Sequence, residues 1–98
     1  MVDGCLTVVA EMTAKQGKEE TLKEELLKLL EPTRMEEGCI NYDMHQSHDK
    51  PGFFIFYENW ISKAHLERHL ATPHLKAFFA KEADLLEGVV VIHLMRQC

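Results

Sequence analysis

The strongest constraint on the fold comes from one run, Phe53-Phe54-Ile55-Phe56-Tyr57-Glu58-Asn59-Trp60. Its aromatic content favours a strand, and over its first five residues it is apolar on both faces. Successive side chains of a strand point to opposite faces, so both faces of the sheet that holds this run need cover. The segment Val89 to Met95 has the same two-sided character. A chain of 98 residues has enough surface to bury for one core, so it reads as a single domain over residues 1–98.

The remaining periodicities supply the layers. Cys5 to Thr13 alternates, with Leu6, Val8, Ala10 and Met12 on one side, as a half-buried strand does. After Gly17, the residues Leu22, Leu26, Leu29 and Leu30 recur at spacings of three and four, which predicts an amphipathic helix that Pro32 kinks or ends, with Gly38 as a later stop. Cys39 to Gln46 is a looser strand, and Ser47-His48-Asp49-Lys50-Pro51-Gly52 is a hairpin turn. Ser62 caps a short helix bearing Leu66 and Leu70. Thr72-Pro73 starts a second helix that carries Leu75, Phe78, Phe79, Leu85 and Leu86 to Gly88. The order β-α-β-β-α(α)-β predicts an α+β, ferredoxin-like antiparallel sheet with its helices on one face. The other face would stay bare and apolar, so a second copy of the chain is expected to cover it as a homodimer.

Composition removes several function classes. Sixteen acidic against eleven basic side chains give a net charge of −5, and no Lys/Arg run is present, which argues against nucleic acid as a partner. The longest unbroken apolar stretches, Phe53 to Tyr57 and Val89 to Ile92, are far short of the roughly 20 residues that cross a bilayer. Residues 1–5 carry neither a basic leader nor an apolar signal core, so a cytoplasmic location is expected. Three widely spaced cysteines, Cys5, Cys39 and Cys98, read as reduced thiols. No G-x-S-x-G elbow, glycine-rich phosphate loop or phosphate-cradling Lys motif occurs.

The six histidines are the chemical signal, three of them being His65, His69 and His74. His65 and His69 are four apart on the short helix and share a face beside the Leu66 and Leu70 stripe. Histidine at such a position serves as a general base, an oxyanion donor, a metal ligand or an ordinary helix residue. Metal binding is not expected, because Leu66 follows His65 where the helix zinc motif has Glu. Trp60, Asn59 and Glu58 lie near the start of this helix. Tyr42 and His45, three apart on the neighbouring strand, should face opposite sides, so only one of them can line a given pocket.

Glu58-Asn59-Trp60-Ile61-Ser62-Lys63-Ala64-His65-Leu66, then His69 and Thr72-Pro73-His74, resemble the signature of the antibiotic biosynthesis monooxygenase domain. Pro32-Thr33-Arg34, Glu37-Gly38-Cys39 and Tyr42 extend the resemblance over nearly the whole chain. The resemblance implies a dimeric α/β barrel and an oxygenase that oxidises quinols or phenols with molecular oxygen and no metal, flavin or haem. It implies His69 or His65 as the base, with Trp60, Asn59, His74, Tyr42 and Phe79 around a small aromatic substrate. The family's haem-degrading branch has its ligating histidine where Phe79 stands and an asparagine near Met12, so haem is not expected. Another branch isomerises a phosphorylated sugar, for which Arg34, Lys76 and Arg96 are the available cations. The expected function is a cofactor-independent, quinol-type monooxygenase; the alternatives are an isomerase of a small carbonyl metabolite and a non-catalytic binder of a planar apolar ligand.

Overall fold

The structure is a computed structural model that describes residues 5–98. The residues that bear on export, Met1 to Gly4, lie outside the described part. Four strands, β1 (Leu6–Thr13), β2 (Cys39–Gln46), β3 (Phe53–Trp60) and β4 (Val91–Met95), form one antiparallel sheet in the order β2-β3-β1-β4. The helices are α1 (Glu19–Leu27), α2 (Leu30–Arg34), α3 (Lys63–Leu70), α4 (Pro73–Phe79) and α5 (Glu82–Leu85). This is the ferredoxin-like α+β arrangement.

The strand alternation sets the two faces. Val8, Ala10 and Met12 of β1 and Phe54, Phe56, Glu58 and Trp60 of β3 point to the helices and are buried. Burying a side chain the size of Phe54 or Phe56 contributes roughly 1.5–3 kcal/mol. Leu22, Leu26 and Leu29 come down on this layer from the first helical segment. The opposite face carries Val9, Phe53, Ile55, Tyr57, Val91 and Met95, of which Tyr57, Val91 and Met95 are exposed. Strand β4 is thinly covered on its inner side as well, with Ile92 and Leu94 exposed.

Two helices differ from the sequence expectation. The stripe from Leu22 to Leu30 is two helices, because the break falls at Lys28 and Leu29, where the Pro32 ring would meet the carbonyl four residues before it. Pro32 then sits in the first turn of α2, where its missing N–H leaves no lost hydrogen bond. The segment after Thr72 is also divided. Lys81 N bonds to Phe78 O at 2.9 Å, which tightens the turn after α4, and α5 follows. That turn returns the chain to β1, where Leu85 O accepts from Lys15 N and Thr13 O accepts from Glu87 N, both at 2.8 Å. Ser62 and Thr72 cap α3 and α4, accepting from His65 N and Leu75 N.

Candidate active site

An apolar cavity of about 50 Å³ lies between the sheet and α3 and α4. Its floor is Val8, Ala10 and Phe56; Tyr42, Glu58 and His69 are its polar members; Phe79 and Ile92 stand on its exposed side. No Lys or Arg lines it.

His69 is 2 % exposed and is held by a long-range contact. Its Nδ1 is 2.8 Å from Glu36 Oε2, and His74 Nε2 is 2.8 Å from the same oxygen. Glu36 is set by the turn after α2, in which Glu36 N donates to Thr33 O and Cys39 N donates to Glu36 O. Arg34 secures that turn to β2 by donating from Nε to Tyr42 O at 3.1 Å. His74 reaches Glu36 because Thr72 and Pro73 fix the start of α4; Thr72 Oγ1 donates to His69 O at 2.7 Å and ties α3 to α4. A carboxylate oxygen accepts, so the His69 proton resides on Nδ1 and Nε2 is left as the acceptor. Burial pushes the His69 pKa down, and the hydrogen bond that its ring donates to Glu36 opposes that shift.

Aromatic rings fix the imidazole from two sides. The Trp60 ring centroid is 4.6 Å from that of His69, and Tyr42 meets it edge-on at 5.4 Å while stacking on Phe56 at 4.6 Å. The Trp60 indole N–H donates to Glu58 Oε1 at 2.9 Å. Burial pushes the Glu58 carboxyl up to about 7, against the Trp60 hydrogen bond that lowers it. Burial likewise pushes the Tyr42 phenol well up and the Cys39 thiol up to about 11, so both stay protonated near neutral pH. The ligand atoms of Glu36, His69 and His74 lie within 4.8 Å of one another, a spacing that could take one metal ion. Here the two imidazoles share Glu36 as a hydrogen-bond acceptor.

Of the residues singled out in the sequence, His69, Tyr42 and Phe79 line the cavity, and His74 stands behind His69 through Glu36. Trp60 is fully buried and supports His69 and Glu58 from below rather than lining the cavity. His65 is elsewhere. Its ring packs over Gly38 and bonds to Ser62 Oγ at 2.7 Å, because a residue one turn before His69 lies over the preceding loop rather than the sheet. Asn59 also lies elsewhere. Strand alternation turns it to the opposite face, where Thr7 Oγ1 donates to it and it donates to Asn41 Oδ1 at 2.8 Å. Glu58 pairs with neither Arg34 nor a histidine.

Two acids at the site, Glu36 and Glu58, were not among the candidate site residues drawn from the sequence. Glu36 looks like a surface acid beside Glu37, and its partners are 33 and 38 residues away. Glu58 had a usable signal, since it shares the inward parity of Phe54 and Phe56.

Among the described residues no helix is long and apolar enough to cross a membrane. The sequence profile of the family described as antibiotic biosynthesis monooxygenase matches residues 5–81. The Escherichia coli protein named "Probable quinol monooxygenase YgiN" is 33% identical over 93 residues, covering 84% of this chain and 89% of that protein. An uncharacterised Synechocystis protein, sll1783, is 32% identical over 86% of this chain, but this chain spans only 57% of its length. In structure, PA3566 of Pseudomonas aeruginosa superimposes with a TM-score of 0.94 at 36% identity, covering 100% of this chain and 98% of that one. Rv0793 of Mycobacterium tuberculosis gives 0.89 at 26% identity, covering 96% and 95%. With its fold, its profile match over most of its length and these relatives in agreement, the chain belongs to the antibiotic biosynthesis monooxygenase family.

Proposed function

We propose that this protein oxidises a small quinol or related phenol with molecular oxygen, using no metal, flavin or haem. The observation that carries the reading is the buried His69 imidazole on the wall of an apolar cavity, its Nδ1 bonded to Glu36 so that Nε2 is left as the acceptor. A phenol becomes a much better electron donor to oxygen once deprotonated, and a dry cavity strengthens each electrostatic contact inside it. His69 takes the phenolic proton, the phenolate reduces oxygen, and oxygen adds to the ring. For a quinol the overall balance is quinol plus O₂ to hydroxyquinone plus water.

Several features support this over the alternatives. By the family resemblance, Phe79 stands where the haem-degrading branch has its ligating histidine, and an apolar lining without Lys or Arg suits an uncharged ring better than a phosphorylated sugar. The name of the Escherichia coli relative points the same way. We also propose that the working form is a cytoplasmic homodimer in which a second copy covers the apolar outer face of the sheet. Sedimentation giving only a monomer at micromolar concentration would remove the dimer.

The test is oxygen uptake by metal-stripped protein with a panel of reduced quinols, against the autoxidation background and the His69→Ala variant. Uptake above background that is lost in the variant is expected. Background rates in both would sink the reading, and thermal stabilisation by a planar ligand without turnover would then favour a binding protein.

A further inference from the structure

We propose that Glu58 is a second proton-transfer residue of the cavity, taking the ring C–H proton from the hydroperoxide that forms when oxygen adds to the substrate. The inference rests on the monooxygenase reading above. Oxygenation of a phenolic ring removes protons at two different atoms. The O–H proton goes first, to His69, which returns it to the peroxide oxygen. The ring carbon then carries both H and O–OH. The Glu58 carboxylate takes the C–H proton, that electron pair forms the new C=O, the O–O bond breaks, and the departing hydroxide takes the proton back from Glu58 as water. One oxygen atom ends in the ring and the other in water.

The placement fits this role. Glu58 is 4% exposed, lines the same cavity as His69, and faces Tyr42 of β2 across the sheet. Its Oε1 accepts from the Trp60 indole, and among the described residues no side chain donates to its other oxygen. The ionisable groups about it are Tyr42 and Cys39 from β2, His69 from α3 and Glu36 from the turn after α2, none of them a fixed cation. A buried carboxylate without a cation is costly, so this acid exchanges its proton near neutral pH, while burial pushes the neighbouring imidazole the other way. If Glu58 served only to receive the Trp60 N–H, glutamine would replace it, because the amide oxygen is also an acceptor.

The experiment compares wild type, Glu58→Gln, Glu58→Asp and His69→Ala with one quinol, measuring oxygen consumed, hydroxyquinone formed and hydrogen peroxide released, with the fold of each variant checked by its melting temperature. In Glu58→Gln, hydroxyquinone formation is expected to fall by about 10²-fold. The blocked hydroperoxide should leave as hydrogen peroxide, giving quinone plus H₂O₂ from quinol plus O₂, and Glu58→Asp should recover part of the hydroxyquinone. A wild-type product ratio in folded Glu58→Gln, at whatever rate, overturns the inference. If His69→Ala loses uptake while folded Glu58→Gln keeps the wild-type ratio of hydroxyquinone to hydrogen peroxide, only the Glu58 role fails; if wild type itself consumes no oxygen above background, the monooxygenase reading fails and takes this role with it.

Discussion

Glu36 Oε2 lies 2.8 Å from His69 Nδ1, and this contact between a loop and a helix decides which imidazole nitrogen carries the proton. It also contributes a raising influence on the His69 pKa against the larger effect of burial. Glu36→Gln keeps an acceptor oxygen but removes the charge that stabilises the imidazolium formed when His69 takes a proton. A fall in kcat/KM of about 10²-fold is expected. Protonation of His69 in the free enzyme shuts off the base, so the acid limb of the kcat/KM profile should move to lower pH in the variant. A limb that stays in place, measured with a quinol substrate, would mean that Glu36 only holds the fold.

Glu58 makes a stability prediction whose sign is opposite to that of a paired carboxylate. Its pKa in the fold is about 7 against an ordinary 4.5, so between those values the folded protein holds a proton that the unfolded chain has released. Stability therefore falls as pH rises through this window and stays low above it, with a ceiling of about 3 kcal/mol. His69 adds an opposing slope, because its lowered pKa makes stability fall as pH drops below 6.5. The difference between Glu58→Gln and wild type isolates the carboxyl. The variant is expected to be the more stable at pH 8 and to lose that advantage towards pH 4.5, as read by urea denaturation. Equal stability at pH 8 would show that the carboxylate is solvated in the fold.

The inward and outward sides of β1 and β3 were legible in the sequence, because a period of two needs no knowledge of distant residues. The helix starts at Ser62 and Thr72-Pro73 were legible too, since a cap acts on amides two or three residues away. The divided first helix was not, because Pro32 can end a helix or sit in the first turn of the next one. The site was legible only in part. His69 was reachable from its spacing, but its distinction from His65 depends on what lies over each ring, Trp60 or Gly38. The Glu36 partnership was invisible, because its two imidazoles come from different helices 33 and 38 residues further along the chain.

Gly38 illustrates that dependence and gives a third prediction. Its φ is +86°, and a Cβ there would fall 2.2 Å from His65 Cδ2. Gly17 has a similar φ of +85° with nothing within 4 Å. Alanine at Gly17 pays only the left-handed backbone cost, about 1–2 kcal/mol. Alanine at Gly38 pays this and must also displace the ring capped by Ser62. Denaturation of the two variants should show Gly38→Ala as the more destabilised by a further 1 kcal/mol or about that. Equal losses would mean that the His65 ring moves aside freely.

Phe79 controls how large a ring the cavity can take. The space within this partly open cavity is about 50 Å³, whereas a protein cavity that binds benzene is on the order of 150 Å³. A substrate ring must therefore move part of the wall. Phe79 is 36% exposed at the end of α4, 5.9 Å from the Phe78 ring, and it faces the thinly covered edge at Ile92, so it is the lining aromatic with the least to hold it. Phe79→Ala should cost less stability than the roughly 3–5 kcal/mol of a fully buried phenylalanine. With a one-ring and a two-ring quinol compared side by side, the variant is expected to lower KM for the two-ring compound severalfold and to leave kcat for the one-ring compound little changed. A parallel rise in KM for both would show that Phe79 grips the substrate, and that the cavity opens elsewhere.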